Sequence, residues 1–168
     1  MFPPDIHDLA RRIIEVYSGN KLRIVTAESC TGGLIAAALT EIPGSSAVVE
    51  RGFVTYSNDA KVEVLGVLPD LLESKGAVSP EAAEAMATGA LEFSLADVAV
   101  SATGIAGPSG ATAAKPVGLV YIGLASRTGV VFHYQCQFRG DRGDVRMQSV
   151  REALQLLLTL QKGSRDEF

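Results

Sequence analysis

Residues 26–33 read Thr26-Ala27-Glu28-Ser29-Cys30-Thr31-Gly32-Gly33, and this stretch decides the fold. Ahead of it lies the apolar run Leu22-Arg23-Ile24-Val25, which predicts a buried strand over about Leu22 to Ala27. Behind it Leu34-Ile35-Ala36-Ala37-Ala38-Leu39 predicts a helix, which stops near Glu41-Ile42 because Pro43-Gly44 breaks it. Two hydroxyls, a thiol and two glycines therefore fall on a strand-to-helix turn. Backbone N–H groups point outward at such a turn, and the helix dipole favours negative charge there. Ser29 can be a helix cap, a phosphate ligand or a nucleophile.

Towards the N-terminus, Ile6, Leu9, Ala10, Ile13, Ile14 and Tyr17 recur at helical spacing and predict an amphipathic helix over Asp5 to Tyr17, stopped by Ser18-Gly19-Asn20. In the other direction, Ser46 to Tyr56 is rich in Val, Phe, Thr and Tyr and predicts a strand, bulged at Gly52. Ser57-Asn58-Asp59 starts a helix that continues through Leu65, and Pro69 to Lys75 forms a short turn or helix. Ser79-Pro80-Glu81 is a strong helix start, with Ser as cap, Pro at the first position and an acid in the first turn. The helix it opens buries Ala82, Met86, Gly89, Ala90 and Phe93.

Asp97 to Thr103 predicts a buried strand, and Gly104 to Lys115 a loop of small residues. Val117 to Arg127 and Val130 to Arg139 are two strands joined by the tight turn Thr128-Gly129. Arg142 to Gln161 is the last helix, with Met147, Val150, Leu154, Leu157 and Leu158 on one face. Leu156 and Leu160 widen that face enough to allow a homo-oligomer. Helices alternating with strands, then one hairpin, imply a three-layer α/β/α sandwich with a mixed, mostly parallel sheet and one antiparallel hairpin. No repeat or linker divides the chain, so residues 1–168 form one domain, with a frayed polar tail at 162–168.

Bulk properties exclude several classes. The 168 residues are 47% hydrophobic and 20% charged, which describes a globular chain with a substantial core. A net charge of −4 without a Lys/Arg cluster argues against nucleic acid as a partner. The absence of a long apolar run argues against a membrane, and the N-terminus lacks the basic and apolar regions of a signal peptide. Cys30 and Cys136 show no C-x-x-C spacing, so free thiols in a reducing cytoplasm are expected, with Cys136 a small core residue.

If the sheet is largely parallel, loops at the carboxyl ends of its strands gather on one edge. Ser29 to Gly33, Tyr56 to Lys61 and Thr103 to Gly110 then converge, and Arg139-Gly140-Asp141-Arg142 can reach the same edge. Each has a plain structural role as well. Ser29 or Thr31 can simply cap a helix, and spacing alone favours the cap. Gly32 and Gly33 can allow close packing, Tyr56 can be a strand aromatic, and Lys61 a solvated charge. Arg142 is odder, because a cation in the first turn of a helix opposes the dipole; it is either indifferent at the surface or placed to hold an anion. Cys30 has no histidine near it in sequence and ranks below Ser29 as a nucleophile.

Other chemistries lack their signatures. G-I-A-G-P-S-G is not the dinucleotide fingerprint G-x-G-x-x-G, and no G-x-x-x-x-G-K-[ST] is present. His7 and His133 are isolated, so neither a metal set nor a Ser-His-Asp triad can be assembled. What survives is a hydroxyl nucleophile with a lysine. An ordinary lysine, with a pKa of about 10.4, stays protonated at neutral pH and needs burial or a nearby cation such as Arg142 to act as a base. Tyr56 could orient Ser29 or relay a proton, and N–H groups of the Gly-rich turns could form an oxyanion hole.

Several motifs together resemble the C-terminal domain of the CinA family. They are T-A-E-S-C-T-G-G (Thr26 to Gly33), G-S-S-A-V-V-E-R-G-F-V-T-Y-S-N-D-A-K (Gly44 to Lys61), G-A-V-S (Gly76 to Ser79), T-G-I-A-G-P-S-G (Thr103 to Gly110), K-P-V-G (Lys115 to Gly118) and F-R-G-D-R (Phe138 to Arg142). The resemblance covers almost the whole chain in the same order, without the separate N-terminal domain that some members carry. It implies a cytoplasmic, cofactor-free and metal-free Ser/Lys amidohydrolase of pyridine nucleotide salvage. Such an enzyme takes a small-molecule nucleotide, nicotinamide mononucleotide, to nicotinic acid mononucleotide and ammonia. Carried onto this sequence, the resemblance makes Ser29 the nucleophile and Lys61 the base, with Tyr56 and Arg142 as helpers. The substrate carries a phosphate, and Thr31, Gly32 and Gly33, the Thr103-Gly104-Ile105-Ala106-Gly107 loop and Arg142 are the expected binding residues. A non-catalytic nucleotide-binding or regulatory module, or an amidase for another small amide, are the alternatives; a pyridine-nucleotide oxidoreductase is disfavoured by the missing fingerprint.

Overall fold

The structure, a computed structural model, describes residues 1–163, so the expected fraying of the tail lies, from residue 164 on, outside the described residues. The first half runs α1 (Pro4–Gly19), β1 (Ile24–Glu28), α2 (Leu34–Thr40), β2 (Val49–Val54), α3 (Asn58–Leu65) and α4 (Pro69–Lys75). The second half runs α5 (Pro80–Glu92), β3 (Val98–Gly104), β4 (Leu119–Ser126), β5 (Val131–Gln137) and α6 (Arg142–Gly163). The five strands form one sheet in the order β2-β1-β3-β4-β5. β1 pairs parallel with β2 and β3, whereas β4 is antiparallel to both β3 and β5. Two reversals restore the original direction, so β4 alone runs against the other four strands. The fold is the expected mixed three-layer sandwich.

Strand alternation sorts the core into two layers. Ile24, Val98, Val100 and Ala102 face a cluster that includes Ile13, Ile35, Leu154 and Leu157, under α1, α2 and α6. Val25, Ala27 and Ala99 face Ala82, Met86 and Ala90 of α5 on the other side. Each fully buried Ile, Leu, Val or Met side chain of this kind stabilises the fold by about 1.5–3 kcal/mol. The Tyr17 hydroxyl donates to the Leu157 carbonyl at 2.9 Å and ties α1 to α6. α5 lies close on the end of α3, because at Gly89 a Cβ would overlap the Leu65 carbonyl oxygen. The serine cap expected at Ser79 forms, its Oγ accepting from the Ala82 N–H, and Ser57 caps the helix expected to start there, its Oγ accepting from the Ala60 N–H.

Three local expectations are corrected. The segment read as one strand over Ser46 to Tyr56 begins instead with a 3₁₀ turn at Ser45–Ala47. The irregularity in that strand is at Glu50 rather than Gly52, since β1 advances from Ile24 to Val25 while β2 advances from Val49 to Arg51. Gly52 pairs in register with Thr26, and a Cβ there would come within 2.8 Å of Thr26 Oγ1, so its small size serves close packing. Phe93 does not join the buried face of α5; it sits at the C-cap, exposed, because the helical period breaks at the residue where the helix stops.

Candidate active site

The carboxyl ends of β1, β2, β3 and β5 point to the same edge, where they surround a pocket of about 300 Å³. Ser29 and Cys30 line it after β1, and Tyr56, Asn58 and Lys61 after β2. The loop after β3 supplies Thr103 to Gly107 together with Ser109 and Gly110. Ala77 and Val78 close the side next to α5, and Arg142 arrives from the start of α6. The four segments expected to share an edge therefore do so.

The turn after β1 is built by a residue that sequence spacing did not single out. Glu28 is the last residue of β1 and is completely buried. Its parity with Ile24 and Thr26 points its side chain towards α2. There Oε2 accepts from the N–H groups of Gly33 at 3.1 Å and Ile35 at 3.0 Å, and Oε1 from that of Ala36 at 2.9 Å. A carboxylate thus satisfies the orphan donors at the start of α2 and suits the positive end of its dipole. Neither Ser29 nor Thr31 caps this helix: Gly33 holds the cap position, at φ 99°, with no side-chain bond. The Thr31 hydroxyl is buried without a hydrogen-bond partner among the described residues. Thr31, Gly32 and Gly33 do not line the pocket. The signal for Glu28 was available as the lone acid in the otherwise uncharged strand Ile24-Val25-Thr26-Ala27-Glu28.

With the cap supplied by Glu28, Ser29 projects from the next position towards α3. Lys61, in the second turn of α3, is 0% exposed and is held there from three sides. Its Nζ donates to Ser29 Oγ at 3.0 Å, to the Thr55 carbonyl at 2.8 Å and to the Tyr56 carbonyl at 3.4 Å. Burial pushes the Lys61 ammonium below the usual lysine range. Of the two expected causes, burial and a nearby Arg142, the lowering comes from burial, and Arg142 makes no hydrogen bond to the amine. Arg142 Nη1 donates to the Gly107 carbonyl at 2.8 Å and Nη2 to the Tyr56 hydroxyl at 2.9 Å. Tyr56 is 61% exposed, and its hydroxyl bonds to Arg142 rather than to Ser29 or Lys61.

The opposite wall is fixed by loop anchors. The Thr103 hydroxyl donates to the Ala77 carbonyl at 2.7 Å. The Ile105 N–H donates to Leu119 O and its carbonyl accepts from Gly118 N–H, which pins the loop base to β4. The N–H groups of Ala106 and Gly107, two residues that line the pocket, have no protein acceptor among the described residues. α6 begins with a reciprocal box, as Asp144 N–H donates to Asp141 Oδ1 and Asp141 N–H to Asp144 Oδ2, each at 2.9 Å. From the next turn Arg146, also missed by local spacing, reaches the carbonyls of Cys30 and Thr31, both at 3.1 Å. The Cys30 thiol is buried, and desolvation pushes it up to about 12, which leaves it a poor nucleophile beside Ser29. Among the described residues no three His, Cys, Asp or Glu side chains gather to hold a metal ion, and no helix is long and apolar enough to cross a membrane.

A hydroxyl in contact with a buried amine, beside open backbone donors, can perform nucleophilic attack on a carbonyl carbon. Comparison with known proteins gives this arrangement a family. The chain is 50% identical over 153 residues to nicotinamide-nucleotide amidohydrolase PncC of Enterobacter agglomerans, covering 91% of this chain and 93% of that protein. It is also 50% identical over 153 residues to a protein of Caldicellulosiruptor saccharolyticus, where it spans only 37% of the relative's length against 91% of its own. Among solved structures, competence/damage inducible protein CihA from Agrobacterium tumefaciens superposes with a TM-score of 0.94 at 54% identity, covering 95% of this chain and 98% of that one. The model of the CinA C-terminal domain matches residues 6–161, and the chain belongs to that family.

Proposed function

We propose that this domain hydrolyses the carboxamide of nicotinamide mononucleotide to nicotinic acid mononucleotide and ammonia, by a metal-independent Ser/Lys mechanism, within pyridine nucleotide salvage. The observation that carries the chemistry is the 3.0 Å contact between Ser29 Oγ and the buried Lys61 Nζ. The name of the Enterobacter agglomerans relative, matched over nearly its whole length, supports the substrate.

In the neutral form Lys61 turns its two N–H donors to the Thr55 and Tyr56 carbonyls, which leaves its lone pair for the Ser29 proton. Ser29 Oγ then attacks the carboxamide carbon. The negative charge that develops on the carboxamide oxygen meets open N–H groups of the 104–110 loop. The C–N bond breaks, and the proton held by Lys61 leaves with the amine as ammonia. Water, deprotonated in turn by Lys61, attacks the acyl ester; that proton passes to Ser29 Oγ as the ester bond breaks, and the acid released loses its own proton to solvent or ammonia and departs as the carboxylate. Arg142, at the pocket mouth, offers a cation to the substrate's anionic side.

The test is ammonia release from nicotinamide mononucleotide by the wild type, Ser29→Ala and Lys61→Ala. Release by the wild type alone is the expected result. A folded wild type that binds the mononucleotide and releases nothing would make the domain a binding or regulatory module. Ammonia release only from other small amides would move the same chemistry to another substrate. Activity that a chelator abolishes would overturn the metal-independent mechanism.

A further inference from the structure

Arg146 neither lines the pocket nor pairs with a carboxylate among the described residues, yet its guanidinium is committed to the turn that carries Ser29. Nε and Nη2 donate to the carbonyls of the two residues that follow Ser29. A Cβ at Gly32 would lie 3.3 Å from Nη2, so the turn rests directly on the guanidinium. Glu28 holds the same turn at its N–H end, through Gly33, Ile35 and Ala36. An anion takes the donors and a cation takes the acceptors, so both charges complement the peptide dipoles between them.

This turn needs such restraint. Gly32 and Gly33 are both left-handed, at φ 59° and 99°, and glycine leaves a chain free to adopt other conformations. Ser29 N–H donates to the Ala102 carbonyl at 2.9 Å, and on its other side, among the described residues, the Ser29 carbonyl accepts only from the N–H of Gly32, itself one of the two left-handed glycines, at 3.1 Å. Without Arg146 the residues immediately after Ser29 lose two charge-assisted bonds, and on that side the Oγ-to-Nζ alignment is left to the bond from the Gly32 N–H. A misplacement of about 1 Å in an attacking group can cost about a hundredfold in rate.

We propose that Arg146 is a positioning residue: it acts through the Cys30 and Thr31 carbonyls to hold Ser29 in line with Lys61. The proposal rests on Ser29 being the nucleophile, so its test includes a readout that does not need the substrate. That readout is the rate at which a fluorophosphonate labels Ser29, measured beside kcat and KM for ammonia release in wild type, Arg146→Ala and Arg146→Lys. In Arg146→Ala, kcat and labelling rate should fall together by about tenfold to a hundredfold while KM stays within about twofold. Arg146→Lys, which keeps the cation but loses the fork, should fall between. Millimolar guanidinium chloride, far below denaturing levels, should restore part of both rates in Arg146→Ala, which repair of a general folding defect would not do.

Full labelling and full kcat in folded Arg146→Ala would overturn the proposal. So would a raised KM at unchanged kcat, which would make Arg146 a binding residue. If the alanine variant does not fold, Arg146→Lys decides by the same two rates. A wild type that is labelled but releases no ammonia removes the amidase reading alone, and the labelling rates still test Arg146. A wild-type Ser29 that takes no label overturns both.

Discussion

Arg142 and Tyr56 stand 86 positions apart in the chain and are joined by a 2.9 Å hydrogen bond from Nη2 to the phenol oxygen. The same guanidinium holds the Gly107 carbonyl, so three pocket segments meet on one side chain. The phenol is thereby spent on the pocket mouth, while the Tyr56 backbone carbonyl serves Lys61.

Tyr56→Phe should therefore raise KM and lower kcat by less than about tenfold, the scale of one hydrogen bond to a charged group. Arg142→Ala should raise KM further, because it also releases Gly107. Steady-state kinetics of ammonia release decide; a loss of about a thousandfold in kcat for Tyr56→Phe would place the phenol in the proton relay instead.

Glu28 satisfies three N–H donors from a completely buried position, so Glu28→Ala strands them. The expected destabilisation is on the order of 3 kcal/mol, read as a lower urea midpoint. Ser29→Ala, which strands no backbone group, should stay within about 1 kcal/mol of wild type.

Burial lowers the folded-state pKa of Lys61 below its unfolded value. Between the two values the unfolded chain holds the proton and the folded chain does not, so stability rises with pH across that window. Below the window both states are protonated and the fold carries the full cost of a buried ammonium. Urea titrations should therefore show wild type gaining on Lys61→Met as pH rises from the lowered folded value towards about 10.4. The rate of ammonia release should also rise with pH, with its midpoint below the usual lysine range; parallel stability profiles would show that Lys61 does not titrate in the fold.

Both thiols are buried and pushed up to about 12 by desolvation. Iodoacetamide at pH 8 should leave Cys30 and Cys136 unmodified in the native protein and alkylate both in urea, as read by mass spectrometry. Cys30→Ala should keep activity within a few-fold. Rapid native alkylation at Cys30 would mean an ionised thiol beside Ser29.

Local chemistry was legible in the chain. Ser57 and Ser79 cap the helices they precede, and the run from Ile24 to Gly33 gives the strand, turn and helix expected of it. The gathering of four segments on one edge followed from strands that share a direction. What stayed hidden depends on partners distant in space or on a side chain reaching out of its own element. Glu28 caps α2 from inside β1, so the hydroxyls nearer the helix were the more obvious caps. Arg146 meets Thr31 across 115 positions, a separation no local pattern encodes. The irregularity at Glu50 leaves no mark in an edge strand whose burial is incomplete, and the glycine that suggested a bulge, Gly52, is there for a different reason, its close approach to Thr26.

The reversal of β4 has a consequence for the order in which the chain is made. By turning back once, the sheet delivers the end of β5, and with it α6, to the edge where β1 and β2 already finish. A nascent chain that has emerged only as far as β3 already contains Ser29 and Lys61 but neither Arg142 nor Arg146. Its serine lies on a turn that Glu28 holds but Arg146 does not, beside a pocket that lacks Arg142. If Ser29 is the nucleophile and Arg146 its positioning residue, as proposed, reactivity at Ser29 reports that the hairpin has closed and α6 has docked, and the earliest residues of the site wait for the last.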